Sequence, residues 1–420
     1  MAASRQIPAP DVRSTAGGTT PLPPLSLYVH FPWCIKKCPY CDFNSHGVRE
    51  AIPEAAYVAA LIADFTAAAP ALAGRPIRSV FFGGGTPSLM SGEAVHRLLD
   101  ELRQQGALAD DAEITLEANP GAVEAARFRA YREAGVNRLS LGIQSFSAAQ
   151  LQALGRVHKQ DEARRAIELA ARHFANFNLD LMYALPGQRV DEALADLETA
   201  LTFAPPHLSC YQLTLEPHTA FAAAPPVLPD DDTAAAMQEG IEARLAAAGF
   251  THYETSAFAR PGRQCRHNLN YWHYGDYLGI GAGAHSKLSS LDDAGQLRVL
   301  RQVRWAQPAR YLSELAPVDA RASTGGSADA PTPRQPLAEE FTVAAAERPF
   351  EFMMNALRLN EGFAESLFAE RCALPLAQIE EALRRAEREG LLERSGGRIA
   401  PSARGRRFLN RLLEGFLSDD

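Results

Sequence analysis

The chain has 420 residues, 46% of them apolar, and a formal net charge of −8 from 42 basic and 50 acidic side chains. That length suits two domains, or one large domain with an appendage, and the apolar content supplies a sizeable core. The acidic balance argues against a general nucleic-acid-binding surface. Nor do the six cysteines form a disulfide framework. Three share one short loop while Cys210, Cys265 and Cys372 stand singly, which implies a reducing, cytoplasmic compartment.

Residues 1–24, rich in Ala, Pro, Ser, Thr and Gly, lack the apolar stretch of a secretory signal and are expected to be a disordered tail. No segment is expected to be apolar for long enough to span a bilayer. From Leu25, strand-like runs alternate with helical stretches. The strands are expected at Leu25–Phe31, Ser79–Phe82, Glu113–Glu117, Arg138–Gly142, Phe177–Met182, Leu208–Leu213 and His252–Phe258. Helices are expected at Glu54–Ala68, Glu93–Gln105, Glu124–Ala134, Asp161–His173, Asp191–Phe203 and Thr233–Ala248. Six or seven such units over residues 25–260 favour an α/β fold, a partial (β/α)6-type barrel, over a doubly wound sheet. Barrels gather their functional residues at the C-terminal ends of the strands.

Marked residues fall at those ends. Cys34, Cys38 and Cys41 form a CxxxCxxC triplet after the first strand, Gly83-Gly-Gly-Thr-Pro87 follows the second, and Glu117-Ala-Asn-Pro120 the third. Gln144-Ser-Phe146 follows the fourth, and Asp180 sits near the end of the fifth. Cysteine thiolates hold iron–sulfur clusters, and a [4Fe–4S] cubane takes four ligands. Three thiolates leave one iron open to a non-protein ligand. Structural zinc is the competing reading, with His46 as its fourth ligand.

Residues 261–321 carry Cys265-Arg-His-Asn-Leu-Asn-Tyr-Trp272 and Gly279-Ile-Gly-Ala-Gly-Ala-His285 as a barrel-closing segment. A flexible linker is expected over 322–340, where Ser, Thr, Gly, Ala and Pro dominate. Residues 341–420 read as a small, mostly helical domain with a hairpin near Leu391–Pro401, winged-helix-like in pattern. Alternating charge over Glu380–Glu389 is that of a solvated face and argues against DNA binding.

The CxxxCxxC loop followed by GGGTP resembles the radical S-adenosylmethionine (radical SAM) superfamily. The resemblance implies a [4Fe–4S] cluster on Cys34, Cys38 and Cys41. SAM would chelate the open iron and, on reduction of the cluster, be cleaved to a 5′-deoxyadenosyl radical. The finer match, from about Leu25 to Leu417, is to the branch holding oxygen-independent coproporphyrinogen III dehydrogenase and its heme-chaperone relatives. It implies SAM contacts at Tyr28, Gly84, Gly85, Thr86, Glu117, Gln144, Arg156 and Asp180, with Thr214 and Ala284 aligning less closely. The residue types suit those roles, since glycines permit close backbone approach, carboxylates accept from ribose hydroxyls and arginine clamps a carboxylate.

Two features divide the branch. The dehydrogenase has a fourth cysteine two residues after the third, where this chain has Phe43. Its His267-Asn268-Leu-Asn-Tyr271-Trp272 run matches the HNxxYW motif tied to heme binding in the chaperone group. His267 offers an imidazole to iron, and Tyr271 and Trp272 offer flat surface to a macrocycle. Arg260, Arg263 and Arg266 stand beside the motif as partners for heme propionates. Cys265 is a further thiolate candidate, although the c-type order CxxCH is absent. His285 is another candidate ligand. The expected function is a heme chaperone without coproporphyrinogen turnover, serving a hemoprotein acceptor such as a respiratory membrane protein. The alternatives are the dehydrogenase itself or a radical SAM methyltransferase. Lys36 and Lys37 either meet an acidic electron donor of flavodoxin type or offset the charge of the cluster.

Overall fold

The computed structural model describes residues 22–48, 50–121, 126–316 and 335–417. The expected tail lies outside them up to residue 21, and the expected linker up to residue 334. Strands β1 (Leu25–Phe31), β2 (Ile77–Gly84), β3 (Leu108–Ala118), β4 (Arg138–Gln144), β5 (Phe177–Tyr183) and β6 (His207–Gln212) lie side by side, parallel and in chain order. Helices α1 (Glu54–Ala68), α2 (Gly92–Gln104), α3 (Phe128–Ala134), α4 (Gln160–His173) and α5 (Val190–Leu201) connect them, and α6 (Asp231–Ala247) follows β6. This is the α/β architecture expected, a partial (β/α)6 barrel.

Both edges are then extended. Beyond β6 a hairpin of β7 (Thr251–Glu254) and β8 (Ala257–Ala259) adds antiparallel strands. The single strand expected over His252–Phe258 is therefore two, because the chain reverses at Thr255-Ser256. After α7 (Arg266–Trp272), β9 (Asp276–Ile280) pairs parallel with β1. Strands β10 (His285–Leu291), β11 (Leu297–Arg304) and β12 (Leu337–Thr342) continue antiparallel from it. Among the described residues this makes one sheet of twelve strands.

Alternation along the strands sorts the side chains. Leu25, Leu27, Val29 and Phe31 of β1, Val80 and Phe82 of β2, and Leu139 and Leu141 of β4 are buried in the main core with the helices. On α2, Val95, Leu98, Leu99 and Leu102 recur at helical spacing and face that core; each such burial stabilises by about 1.5–3 kcal/mol. Ser91 caps α2 by accepting from the Ala94 N–H, and the Glu54 carboxylate grips Ser91 in turn. Glu54–Leu72 is apolar and long enough to cross a membrane by composition alone, contrary to expectation. Its alanine content explains the match. In the fold, Tyr57, Leu61 and Phe65 pack into the core and Asp64 forms a fully buried ion pair with Arg304 at 3.3 Å.

The C-terminal region has its own core. Helices α8 (Arg348–Ala356), α9 (Glu365–Cys372) and α10 (Glu380–Arg388) pack with a small sheet of β13 (Phe363–Ala364), β14 (Leu392–Ser395) and β15 (Arg398–Pro401). Phe352, Phe363, Phe368, Leu383 and Ile399 fill it, and Tyr274 from the barrel side inserts among them. The alternating charges of α10 are largely paired. Arg384 meets Glu380, Arg388 meets Glu381, and Arg394 bridges Glu365 and Glu380.

Candidate functional site

The concave face of the barrel is the polar half of the alternation. At the C-terminal end of its strands, Cys34, Cys38 and Cys41 line one cavity with Gly84, Gly85 and Thr86. Glu117, Gln144 and Asp180 line the same cavity from β3, β4 and β5, and Arg156 joins them from the connection after the short helix Ala148–Ala153. All six cysteines are free thiols. Burial pushes the Cys34 and Cys41 thiols above their ordinary pKa, so ligation must release protons. Among the described residues no three His, Cys, Asp or Glu side chains cluster tightly enough to hold a single metal ion. His46, the expected fourth ligand of a zinc site, is instead 3.2 Å from Asn44 Oδ1. Thiols spread around a shared cavity suit a multi-iron cluster better than a tetrahedral ion.

The glycine ribbon is seated by the loop itself. Gly85 N–H donates to Phe31 O at 2.7 Å and Thr86 N–H to Trp33 O at 2.8 Å. A Cβ on Gly85 would meet Trp33 O at 2.6 Å, and Gly84 has a φ of +109° against the His30 ring. Only glycine fits both positions. Hydrogen bonds then run around the cavity from thiol to thiol. Thr86 Oγ1 donates to Cys34 Sγ at 3.4 Å, Asn119 Nδ2 to Thr86 Oγ1 at 3.1 Å, and Arg156 to Asn119 Oδ1 at 2.6 Å. Arg156 also reaches Cys38 Sγ at 3.6 Å.

Gln144 holds a left-handed φ of +68°, a strained conformation for a residue with a Cβ. The turn beneath it is pinned by buried Asp196 of α5, which accepts from Phe146 N–H at 2.7 Å and from Ser145 Oγ. Tyr211 Oη donates to Gln144 Oε1 at 2.6 Å. Glu117 is half-buried in the cavity wall near Asp180, and desolvation first, then that like charge, raises its carboxyl to about 8. Asp180 is raised by burial as well, although Ser140 and Asn178 donate to it and Arg138 lies near.

Thr214 and Ala284 do not line this cavity. The Thr214 hydroxyl donates to Glu216, and Ala284 is buried in the turn between β9 and β10. Asn119, Tyr40 and Tyr211 do line it and escaped selection from the sequence. Asn119 was legible inside Glu117-Ala-Asn-Pro120, and Tyr40 inside the cysteine loop. Tyr211 gave no local signal.

Tyr28 faces a neighbouring cleft of about 330 Å³, against about 170 Å³ for the thiol cavity. Tyr271 and Tyr277 form one side of the cleft, with rings 4.6 Å apart. Phe43, 58% exposed, lines both chambers. His285 lies exposed at the edge of the cleft.

Helix α7 packs against β1, β2 and β9, with its N-terminal end on Glu113 of β3. His267 is buried: Nδ1 is 3.0 Å from Ser79 Oγ, Nε2 is 3.2 Å from Tyr271 Oη, and its ring lies 5.0 Å from that of Phe81. Burial, then the nearby Arg138 charge, lowers its pKa to about 3. Glu113 accepts from the backbone N–H groups of Arg266 and His267 and from Cys265 Sγ, and Cys265 Sγ also meets Asn268 Oδ1. Trp272 stacks under Arg358 at 5.0 Å. Arg266 bonds Asp111, and Arg260 lies over the Phe250 ring.

A partial barrel with three cysteines after its first strand and a glycine ribbon after its second defines the radical SAM class, and the model of the radical SAM superfamily matches residues 28–200. A second model, the HemN C-terminal domain, matches residues 343–408. The fold resembles that of coproporphyrinogen III oxidase (HemN) from Escherichia coli, a radical SAM enzyme, with a TM-score of 0.75, 23% identity, and 94% and 90% of the two chains covered. Along its length the chain is 46% identical to heme chaperone HemW of Escherichia coli, over 95% of this chain and 99% of that one. It is 36% identical to HemW of Mycobacterium tuberculosis over 93% and 94%. To the mitochondrial radical S-adenosyl methionine domain-containing protein 1 of Bos taurus it is 39% identical over 74% and 72%. The chain belongs to the HemW family of radical SAM proteins.

Proposed function

We propose that this protein is a cytoplasmic heme chaperone: it binds heme and passes it to a hemoprotein acceptor such as a respiratory membrane protein. Its scaffold would hold a [4Fe–4S] cluster on Cys34, Cys38 and Cys41, with SAM at the open iron. The observation that carries the reading is likeness over nearly the whole chain to proteins named heme chaperones, including Escherichia coli HemW at 46% identity. The donor set of the thiol cavity supports the cofactor part. Bound and reduced, the cluster and SAM together supply one-electron cleavage of a sulfonium. The chain's own part is to bind and orient. Gly84 and Gly85 bring backbone to the ligand, and Glu117 and Asp180 offer acceptors for ribose hydroxyls. Arg156 offers a fork for a carboxylate, with Gln144 and Thr86 around them and Tyr28 bordering the neighbouring cleft. Thr214 and Ala284 are left out of this assignment because they line neither chamber. Lys36, at the cavity wall, and Lys37 suit an acidic electron donor of flavodoxin type.

Within HNxxYW, Tyr271 reaches the surface cleft, whereas His267 has both ring nitrogens bonded and Asn268 is tied to Cys265. Phe43 occupies the position two residues after Cys41, where the dehydrogenase resemblance calls for a cysteine. The test is hemin titration of anaerobically reconstituted full-length protein beside an assay of coproporphyrinogen III conversion with SAM and reductant. A Soret shift without turnover is expected. Turnover would establish the dehydrogenase reading instead.

A further inference from the structure

We propose that heme seats in the cleft beside the cysteine loop and that His285, rather than the buried His267, is its axial ligand; this rests on the heme-chaperone reading above. Heme iron in proteins is held by His, Cys, Met or Tyr side chains. The cleft presents five such groups, and four are engaged. His30 has Nε2 2.8 Å from Asn44 O and Nδ1 3.2 Å from Tyr28 Oη, which accounts for both His30 and Tyr28. Tyr271 Oη is bonded to His267, and Tyr277 Oη accepts from Arg301 at 2.8 Å. The fifth is His285, exposed at the start of β10 and making no hydrogen bond through its ring among the described residues.

Its backbone is nonetheless fixed. The turn before it closes through Ala284 N–H to Gly281 O, and Asn44 Nδ2 donates to both Ala282 O and Ala306 O at 2.9 Å, locking the cysteine loop onto that turn. Gly283 permits the contact: its φ is +83°, and a Cβ would meet Asn44 Nδ2 at 2.3 Å. A ligand on a fixed strand end with a free ring is pre-organised for iron. The lining suits a flat apolar macrocycle, since the Tyr271 and Tyr277 rings and Phe43 all border the cleft. Lys37, whose ammonium bonds Phe43 O at 3.0 Å, stands at the rim as a partner for a propionate. A cleft of about 330 Å³ lies at the small end for a ligand site, so it takes an edge of the macrocycle and leaves the rest exposed for hand-over. His267 becomes a positioning residue, holding the Tyr271 ring against the cleft through its hydroxyl.

The test compares hemin titrations of the full-length wild type, His285→Gly, His285→Gly with free imidazole, and His267→Ala. His285→Gly is expected to weaken hemin binding by ~10-fold or more and to shift the Soret band. Free imidazole is expected to restore both, because it refills the vacated ligand position. His267→Ala is expected to cost roughly threefold and to keep the Soret position, since only the Tyr271 wall loosens. An unchanged Soret band in His285→Gly, with loss in His267→Ala, overturns the ligand assignment and leaves the heme reading standing. A wild type that gives no Soret shift overturns the heme reading itself.

Discussion

The two ends of the barrel's concave face are built from the same kinds of residue and arrive at opposite states. At the end closed by α7, most polar groups are answered from within, although Arg138 Nε and Trp272 Nε1 are buried without a partner among the described residues. Glu113 takes the N–H groups of Arg266 and His267, Ser79 and Tyr271 bracket His267, and His207 is held between Asn178 and Tyr253. At the open end, three thiols, two carboxylates and an arginine line one cavity. Buried polar groups stabilise only when satisfied, so the closed end specifies the fold. The open end is where we propose that the cluster and SAM bind. HNxxYW straddles the two conditions, with His267 on the closed side and Tyr271 reaching the surface.

Substitutions at each end should separate those roles. The largest expected effect is at the mouth. Cys38→Ala should abolish cluster assembly on anaerobic reconstitution, read as iron and sulfide content, while the apo-protein's unfolding free energy changes by no more than about 0.5 kcal/mol. Full iron content in that variant would remove the cysteine loop as the cluster site. At the closed end, Glu113→Ala should cost roughly 2–4 kcal/mol in denaturant unfolding, because it strands two backbone donors and the nearby Arg138 charge, and should leave iron content intact. A loss under about 1 kcal/mol would mean that apolar contacts alone hold α7.

A smaller effect is expected of Arg156→Met, which should weaken SAM binding ~10-fold in equilibrium dialysis without unfolding the protein. Unchanged affinity would move the carboxylate contact elsewhere. The smallest concerns pH. Glu117 is raised from 4.5 to about 8, so between those values the folded state keeps a proton that the unfolded chain has released. Stability from this group therefore falls as pH rises through that window. Glu117→Gln should remove the decline, gaining roughly 1–3 °C in Tm at pH 8 relative to its gain at pH 5. A gain equal at both pH values would show that Glu117 is ionised throughout.

The sequence made the mouth legible because a parallel barrel turns chain order into spatial order: each strand end lands on one rim, so cysteines 34–41, the glycine ribbon and Glu117 could be collected without coordinates. It concealed the closed end for the same reason. Glu113, Arg138 and His207 sit inside strands, where a polar residue reads as a solvated face, and their partners lie far along the chain. His267 on Ser79 spans 188 residues. The hairpin at Thr255-Ser256 was also hidden, since two polar residues inside an apolar run did not announce a reversal. Tyr211 entered the cavity only through the register of β6 beside β5.

Phe43 belongs to the thiol cavity and the tyrosine cleft at once. A substitution at this one position is therefore expected to register in both chambers, whereas a change at Cys38 or at Tyr271 borders only one of the two.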